Sequence, residues 1–135
     1  MSEWTPIEAE GGMKHSNGPT AVRAGDFVFL SSVKGVDPES QVSGPDPVSQ
    51  LRQAMANIEV VLSAADMDMG DIVKVTVFLE GDGENRQHLD RVWGETFTPG
   101  VPPARATVSV ENVGGAKDKS IALFDVVAFK PQGNA

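Results

Sequence analysis

The chain of 135 residues has no cysteine and only two histidines, His15 and His88. Without thiols there is no disulfide, redox pair or thiolate metal site. One histidine falls in a polar loop and the other on the outer face of a helical segment, so no metal site is expected. Neither lies beside a serine in a nucleophile elbow, which argues against acyl-enzyme hydrolysis. Clusters of basic residues are missing too: 11 Lys and Arg against 19 Asp and Glu give a formal charge of -8. Phosphate binding relies on basic patches, so nucleic acid is not an expected partner. Long apolar runs are absent, and "MSEWTPIEAE" lacks a basic region followed by an apolar stretch. No membrane span or secretory signal is expected, and the cytoplasm is the expected location.

What remains is an ordinary globular mixture, 40% hydrophobic and 22% charged, of a length suited to one domain. The reading is a single α+β domain over 1–135, with an N-terminal arm (1–13) and a polar tail (131–135), in the order ββαβαββ. "TAVRAGDFVFLSS" (20–32) predicts two strands around a tight turn at "AGD". The Gly, Pro, Ser and Asp of 33–47 mark a loop. It ends in Asp46 before Pro47, an N-cap followed by a first-turn proline. Val48, Leu51, Met55, Ile58, Leu62 and Ala65, three and four apart, then predict a helix with one buried stripe.

"IVKVTVFLE" (72–80) alternates as a strand. It places Val73, Val75, Val77 and Leu79 on one face and Lys74, Thr76 and Glu80 on the other, with Ile72 and Phe78. "GDGENRQ" supplies a turn and cap. Leu89, Val92, Trp93 and Phe97 predict a second helix, stopped by Pro99 and Gly100. Strands follow at "ATVSV" (106–110) and "IALFDVVAFK" (121–130), the latter apolar on both faces except at Asp125 and therefore expected to be central. Two helices cover one face of such a sheet, so the other needs a second copy of the chain.

Two motifs carry less than they suggest. "DMDMGD" (66–71) has the look of a calcium loop, but its spacing is incomplete and Val77 occupies the closing glutamate position. It reads as a helix-to-strand connection. "GDGENR" (81–86) lacks both the lysine of a phosphate loop and the dinucleotide fingerprint. No cofactor is expected.

Arg105, in "VPPARATVSV" (101–110), is a lone cation at the mouth of an uncharged strand, behind Pro102 and Pro103. A guanidinium offers parallel donors that fit a carboxylate bidentately and stays charged at any working pH. It can hold a ligand's carboxylate or pair with a carboxylate of the protein at a sheet edge.

Three segments share one resemblance. "HSNGPTAVRAGDFVFLSS" is similar to GPYxxAVxxGxxxFxSG. "QLRQAMANIEVVLSAADMDMGDIVKVTVFLEG" is similar to a Q-x-R-Q-x-x-x-N helix followed by D-hydrophobic-V-K-x-T-V-F. "VPPARATVSV" is similar to PARxxVxV. From about residue 14 to 130 the chain resembles the Rid (reactive intermediate deaminase, or YjgF) family. The resemblance implies a homotrimer of the chorismate-mutase-like fold, with clefts between subunits that would account for the bare sheet face. It also implies hydrolysis of small enamines and imines, such as 2-aminoacrylate, to 2-oxo acids and ammonia.

Arg105 matches the family arginine that grips the substrate carboxylate. Substrate contacts are expected at Arg105, Ser31, Thr20, Thr107 and Leu123, and catalytic roles at Arg105 and Asp125. Leu123 stands where deaminating members carry a water-orienting glutamate. Asp125 matches the second acid of that E-x-E pattern and points to the same sheet face as Leu123. It either supplies the missing carboxylate or is an acid satisfied by a neighbouring subunit or backbone donors. Thr20 replaces the tyrosine of GPY and Ser32 the glycine after Ser31. Asp90, where many members have asparagine, reads as a solvated helix residue, and Trp93 as packing beneath its helix. The alternative to a deaminase is a noncatalytic trimeric module that binds or senses small carboxylates such as 2-oxo acids. Ribonuclease activity fits poorly with an acidic chain.

Overall fold

A computed structural model describes residues 3–81, 83–114 and 119–133. In chain order the elements are β1 (Trp4–Ile7), β2 (Ala21–Ala24), β3 (Phe27–Leu30), α1 (Pro47–Ala64), a 3-10 turn (Met69–Asp71), β4 (Ile72–Glu80), α2 (Gly83–Phe97), β5 (Ala104–Val110) and β6 (Ala122–Phe129). The strands form one sheet in the order β1-β2-β3-β6-β4-β5. Only β4 and β5 run parallel. A parallel pair needs a crossover, and α2 supplies it. β6 is central, as its two apolar faces predict.

The hairpin turns at Gly25, whose φ of 62° suits a residue without a Cβ. Asp46 caps α1 reciprocally: its Oδ1 accepts from the Ser49 amide at 2.9 Å while its own amide donates to Ser49 Oγ. The stripe of α1 then buries Leu51, Met55, Ile58 and Leu62 against the sheet. Two polar residues are buried with it. Asn57 donates to the carbonyls of Lys34 and Val36 at 2.9 and 2.8 Å. Gln50 donates to those of Gly44 and Lys119 and accepts from the Ile121 amide. These side chains tie the long loop to the helix, and at Gly35 the approach is so close that a Cβ would collide with the Gln50 carbonyl. At the far end of α1, Arg23 and Lys130 donate to the free carbonyls of Ala65 and Asp66, the basic partners a helix C-terminus favours.

The structure departs from the sequence reading in three places. The arm contains a strand, β1, which pairs with β2 through the backbone while its side chains stay largely exposed, so it has no hydrophobic alternation to announce it. The register of β4 against β6 shifts between Ile72 and Lys74. That bulge turns Ile72 into the core and leaves Val73 42% exposed, the reverse of the alternation expected there. Finally, β5 begins at Ala104, so Arg105 lies within the strand. In the 66–71 connection, Asp68 and Asp71 cap the 3-10 turn reciprocally. Parts of the "GDGENRQ" turn (82), of the 111–120 loop (115–118) and of the two termini (1–2 and 134–135) lie outside the described residues. Among the described residues no helix is long and apolar enough to cross a membrane.

Candidate functional site

Arg105 pairs with Val75 in the parallel β4–β5 ladder. Val75 is buried under the helices, and directly paired residues share a face, so Arg105 projects to the helical side at the sheet edge. The crossover helix lies over it. Arg105 Nη2 donates to Asp90 Oδ1 at 2.7 Å, and the guanidinium carbon stands 5.0 Å from the centre of the Trp93 ring. Asp90 and Trp93 are one helical turn apart, which puts them on one face of α2, and Trp93 is braced in turn by Phe97 at 4.6 Å between ring centroids. The arginine side chain is 18% exposed and the aspartate 56%, so the cation is recessed behind the carboxylate.

Asp90 is therefore solvated, as its helical position suggests, and in addition paired with Arg105. In the single chain Arg105 does make an ion pair at a sheet edge, yet that pair engages one guanidinium nitrogen, and among the described residues no other hydrogen bond uses the rest. Trp93 packs under its helix as expected and also floors the guanidinium. Sequence reasoning passed over this triad, although Asp and Trp at i, i+3 on a crossover helix, before a strand carrying a single arginine, is a readable signal. Thr107, two residues along, shares the face of Arg105, and its buried Oγ1 has no partner among the described residues.

The other candidates lie elsewhere. On β6, Leu123 pairs with Phe78 and Asp125 with Thr76, which places both on the sheet face opposite the helices. Asp125 is exposed and has no hydrogen bond or ion pair among the described residues. Thr76 in turn pairs with Ala106, so two strand spacings, about 10 Å, separate Asp125 from the strand of Arg105, and the two side chains leave opposite faces. Leu123, Phe78, Val110, Asn112 and Val113 line an apolar concavity of about 280 Å³.

At the open base of the hairpin, Ser31 Oγ donates to the Pro19 carbonyl at 2.7 Å. Thr20 is buried; its hydroxyl donates to Glu8 and accepts from the Ala9 amide. Ser31 borders a concavity of about 460 Å³ with Lys14, His15, Ser32 and Lys34. His15 Nε2 lies 2.7 Å from the Ser32 carbonyl, which can only accept, so that nitrogen carries a proton; Nδ1 is buried without a partner among the described residues. His88 faces Glu84 at 3.9 Å on the outside of α2. Among the described residues no group of three or more His, Cys, Asp or Glu converges to hold a metal. Among the described residues one chain thus brings Arg105 together with Asp90 and Trp93, with Thr107 on the same face, and leaves the other candidates on separate patches.

This sheet, crossover helix and arginine strand define a family. The family model described as Endoribonuclease L-PSP matches residues 15–121, and the chain belongs to that family, which also carries the YjgF/Rid name. The chain is 37% identical over 104 residues to the 2-iminobutanoate/2-iminopropanoate deaminase of Salmonella typhimurium, covering 76% of this chain and 79% of that one. It is 41% identical over 91 residues to protein DfrA of Myxococcus xanthus, covering 66% and 67%. The solved structure of protein YjgH matches with a TM-score of 0.86 at 26% identity, over 98% of this chain and 100% of that one.

Proposed function

We propose that this protein hydrolyses small 2-imino acids, and the enamines that tautomerise to them, to 2-oxo acids and ammonia, in clefts between the subunits of a cytoplasmic homotrimer. The observation that carries the reading is Arg105, a guanidinium recessed at the sheet edge, oriented by Asp90 and Trp93, with donors left for a carboxylate. The relationship to an iminobutanoate deaminase supports it. So does the open sheet face, where Phe27, Phe29 and Phe129 are 37–45% exposed, an apolar surface of the kind a second copy would cover.

The chemistry asks little of the protein. An enamine takes a proton at its terminal carbon to become the imine. Water then adds to the C=N carbon, the resulting carbinolamine nitrogen is protonated, and the C–N bond breaks as the hydroxyl gives up its proton, which releases ammonia and leaves the 2-oxo acid. Holding the carboxylate and positioning one water are matters of orientation, and the proton transfers need a nearby acid or base. Asp125 or an ordered water fills that role. Because Asp125 and Arg105 leave opposite faces of one chain, a neighbouring copy has to complete the cleft.

A noncatalytic carboxylate-binding module is the second reading, favoured by Leu123 at the expected glutamate position and by the distance between Asp125 and Arg105. Generating imines in situ with an amino acid oxidase, and following their disappearance, separates the two. The deaminase accelerates it and Arg105→Ala does not. Binding of 2-oxo acids without acceleration of any imine would leave the binding module standing.

A further inference from the structure

Asp90 offers more than an orienting contact. One carboxylate oxygen takes the Arg105 hydrogen bond, and its second has no donor among the described residues; Arg86, one turn earlier on α2, makes no ion pair with it, and Arg91 is turned to Glu95 at 3.4 Å. The side chain is 56% exposed, in front of a guanidinium that is 18% exposed. A ligand reaching Arg105 therefore meets a positive and a negative group side by side, in direct contact at 2.7 Å, above an aromatic floor.

Such a pair treats ligands differently according to charge. A plain carboxylate gains the free donors of Arg105 but must approach Asp90, and like charges a few ångströms apart in a recessed site repel by about an order of magnitude in affinity or more. A zwitterion satisfies both groups. In a 2-imino acid protonated on nitrogen, the cationic N–H and the carboxylate sit on neighbouring carbons, a spacing matched to two groups that themselves touch.

We infer that the Arg105–Asp90 pair is a receptor for small zwitterions, in which Asp90 accepts the N–H of the protonated imine and selects it against the 2-oxo acid. This rests on the reading of Arg105 as the carboxylate anchor and adds direction to it. The protonated imine is the more electrophilic form, so the site holds the species that water attacks. The product has lost its cationic nitrogen, and Asp90 then favours its departure.

The test is calorimetric titration of the full chain with 2-oxobutanoate, a carboxylate without nitrogen, and L-2-aminobutyrate, a stable zwitterion of the same length. Wild type binds the amino acid more tightly. Asp90→Asn weakens that binding by about tenfold and leaves 2-oxobutanoate equal or tighter, so the preference falls by about tenfold or more. Asp90→Glu restores the wild-type order. A wild-type preference for the 2-oxo acid, or equal shifts for both ligands in Asp90→Asn, overturns the receptor. If 2-oxobutanoate binds and Arg105→Ala abolishes it while Asp90→Asn leaves the ratio unchanged, the anchor stands and only the receptor falls. If neither ligand binds wild type, both fall.

Discussion

The central strand β6 carries two different surfaces. Ala122, Phe124, Val126 and Ala128 point under the helices and are at most 4% exposed. Leu123, Asp125, Val127 and Phe129 alternate with them and stay partly or fully accessible. The apolar content of the two sets is similar, so composition does not separate them; the helices do. On the covered face α1 and α2 complete the packing within one chain. On the open face the Phe27 ring lies tilted at 5.1 Å from Phe129 and 6.1 Å from Phe29, a cluster that the described residues leave partly exposed. The first face holds the fold, and the second is the face that the proposed assembly would cover.

The sharpest break of that comparison is a pair of truncations on the same strand. Phe124→Ala removes a fully buried ring and is expected to cost about 3–5 kcal/mol in denaturant unfolding. Phe129→Ala, on the other face and 37% exposed, should cost about 1 kcal/mol or less when measured at concentrations too low for assembly. Equal losses would mean that the faces are not energetically distinct. Next comes Gly35→Ala. Its Cβ would meet backbone rather than a flexible side chain, so the loop must leave α1, at an expected cost of about 1–3 kcal/mol or more. Wild-type stability in that variant would show that the loop moves freely off the helix.

A smaller effect on the chain, though a large one on assembly, is expected of Phe29→Lys in the open cluster. For an oligomer, unfolding midpoints rise with protein concentration. The wild type should show that dependence and sediment as a trimer, whereas the lysine variant should lose both while keeping its far-ultraviolet spectrum. A wild type that sediments as a monomer would remove the inter-subunit cleft from the proposed function.

These contrasts also mark how far the sequence could be read. The covered face was legible because its alternation, the Asp46–Pro47 cap and the three-and-four spacing of α1 each point to one answer. β1 was not, since a strand held by backbone pairing at a sheet edge leaves no side-chain pattern. The Ile72–Val73 inversion was hidden for a related reason: the inserted residue reverses the faces of the first two positions of β4 and leaves the rest as expected, and nothing in "IVKV" announces the bulge. Gln50 and Asn57 looked like motif letters, and the structure shows them anchoring loops by bonds to the main chain. The candidate site was half legible. Arg105 stood out as an isolated cation, but its partners Asp90 and Trp93 are set by where the crossover helix lands, which is a tertiary fact.

The smallest effect belongs to the outer surface of the helical layer. Glu95 on α2 takes two hydrogen bonds from Arg52 on α1, at 3.1 and 2.8 Å, and lies 3.4 Å from Arg91. The Arg52 hydrogen bonds first, then the charges of Arg52 and Arg91, hold the Glu95 carboxyl below its ordinary value of 4.5. A depressed carboxylate contributes in full above that ordinary value and loses its contribution as pH falls through the folded-state value. Glu95→Gln should therefore lower the unfolding midpoint slightly at pH 7, with the gap to wild type closing as the solution is acidified below about pH 4.5 and shrinking in high salt. A gap that stays constant from pH 7 to pH 3 would show that the side chain joins the helices by packing rather than by charge. The covered layer would then owe its cohesion to apolar contact on its outer side as well as its inner one.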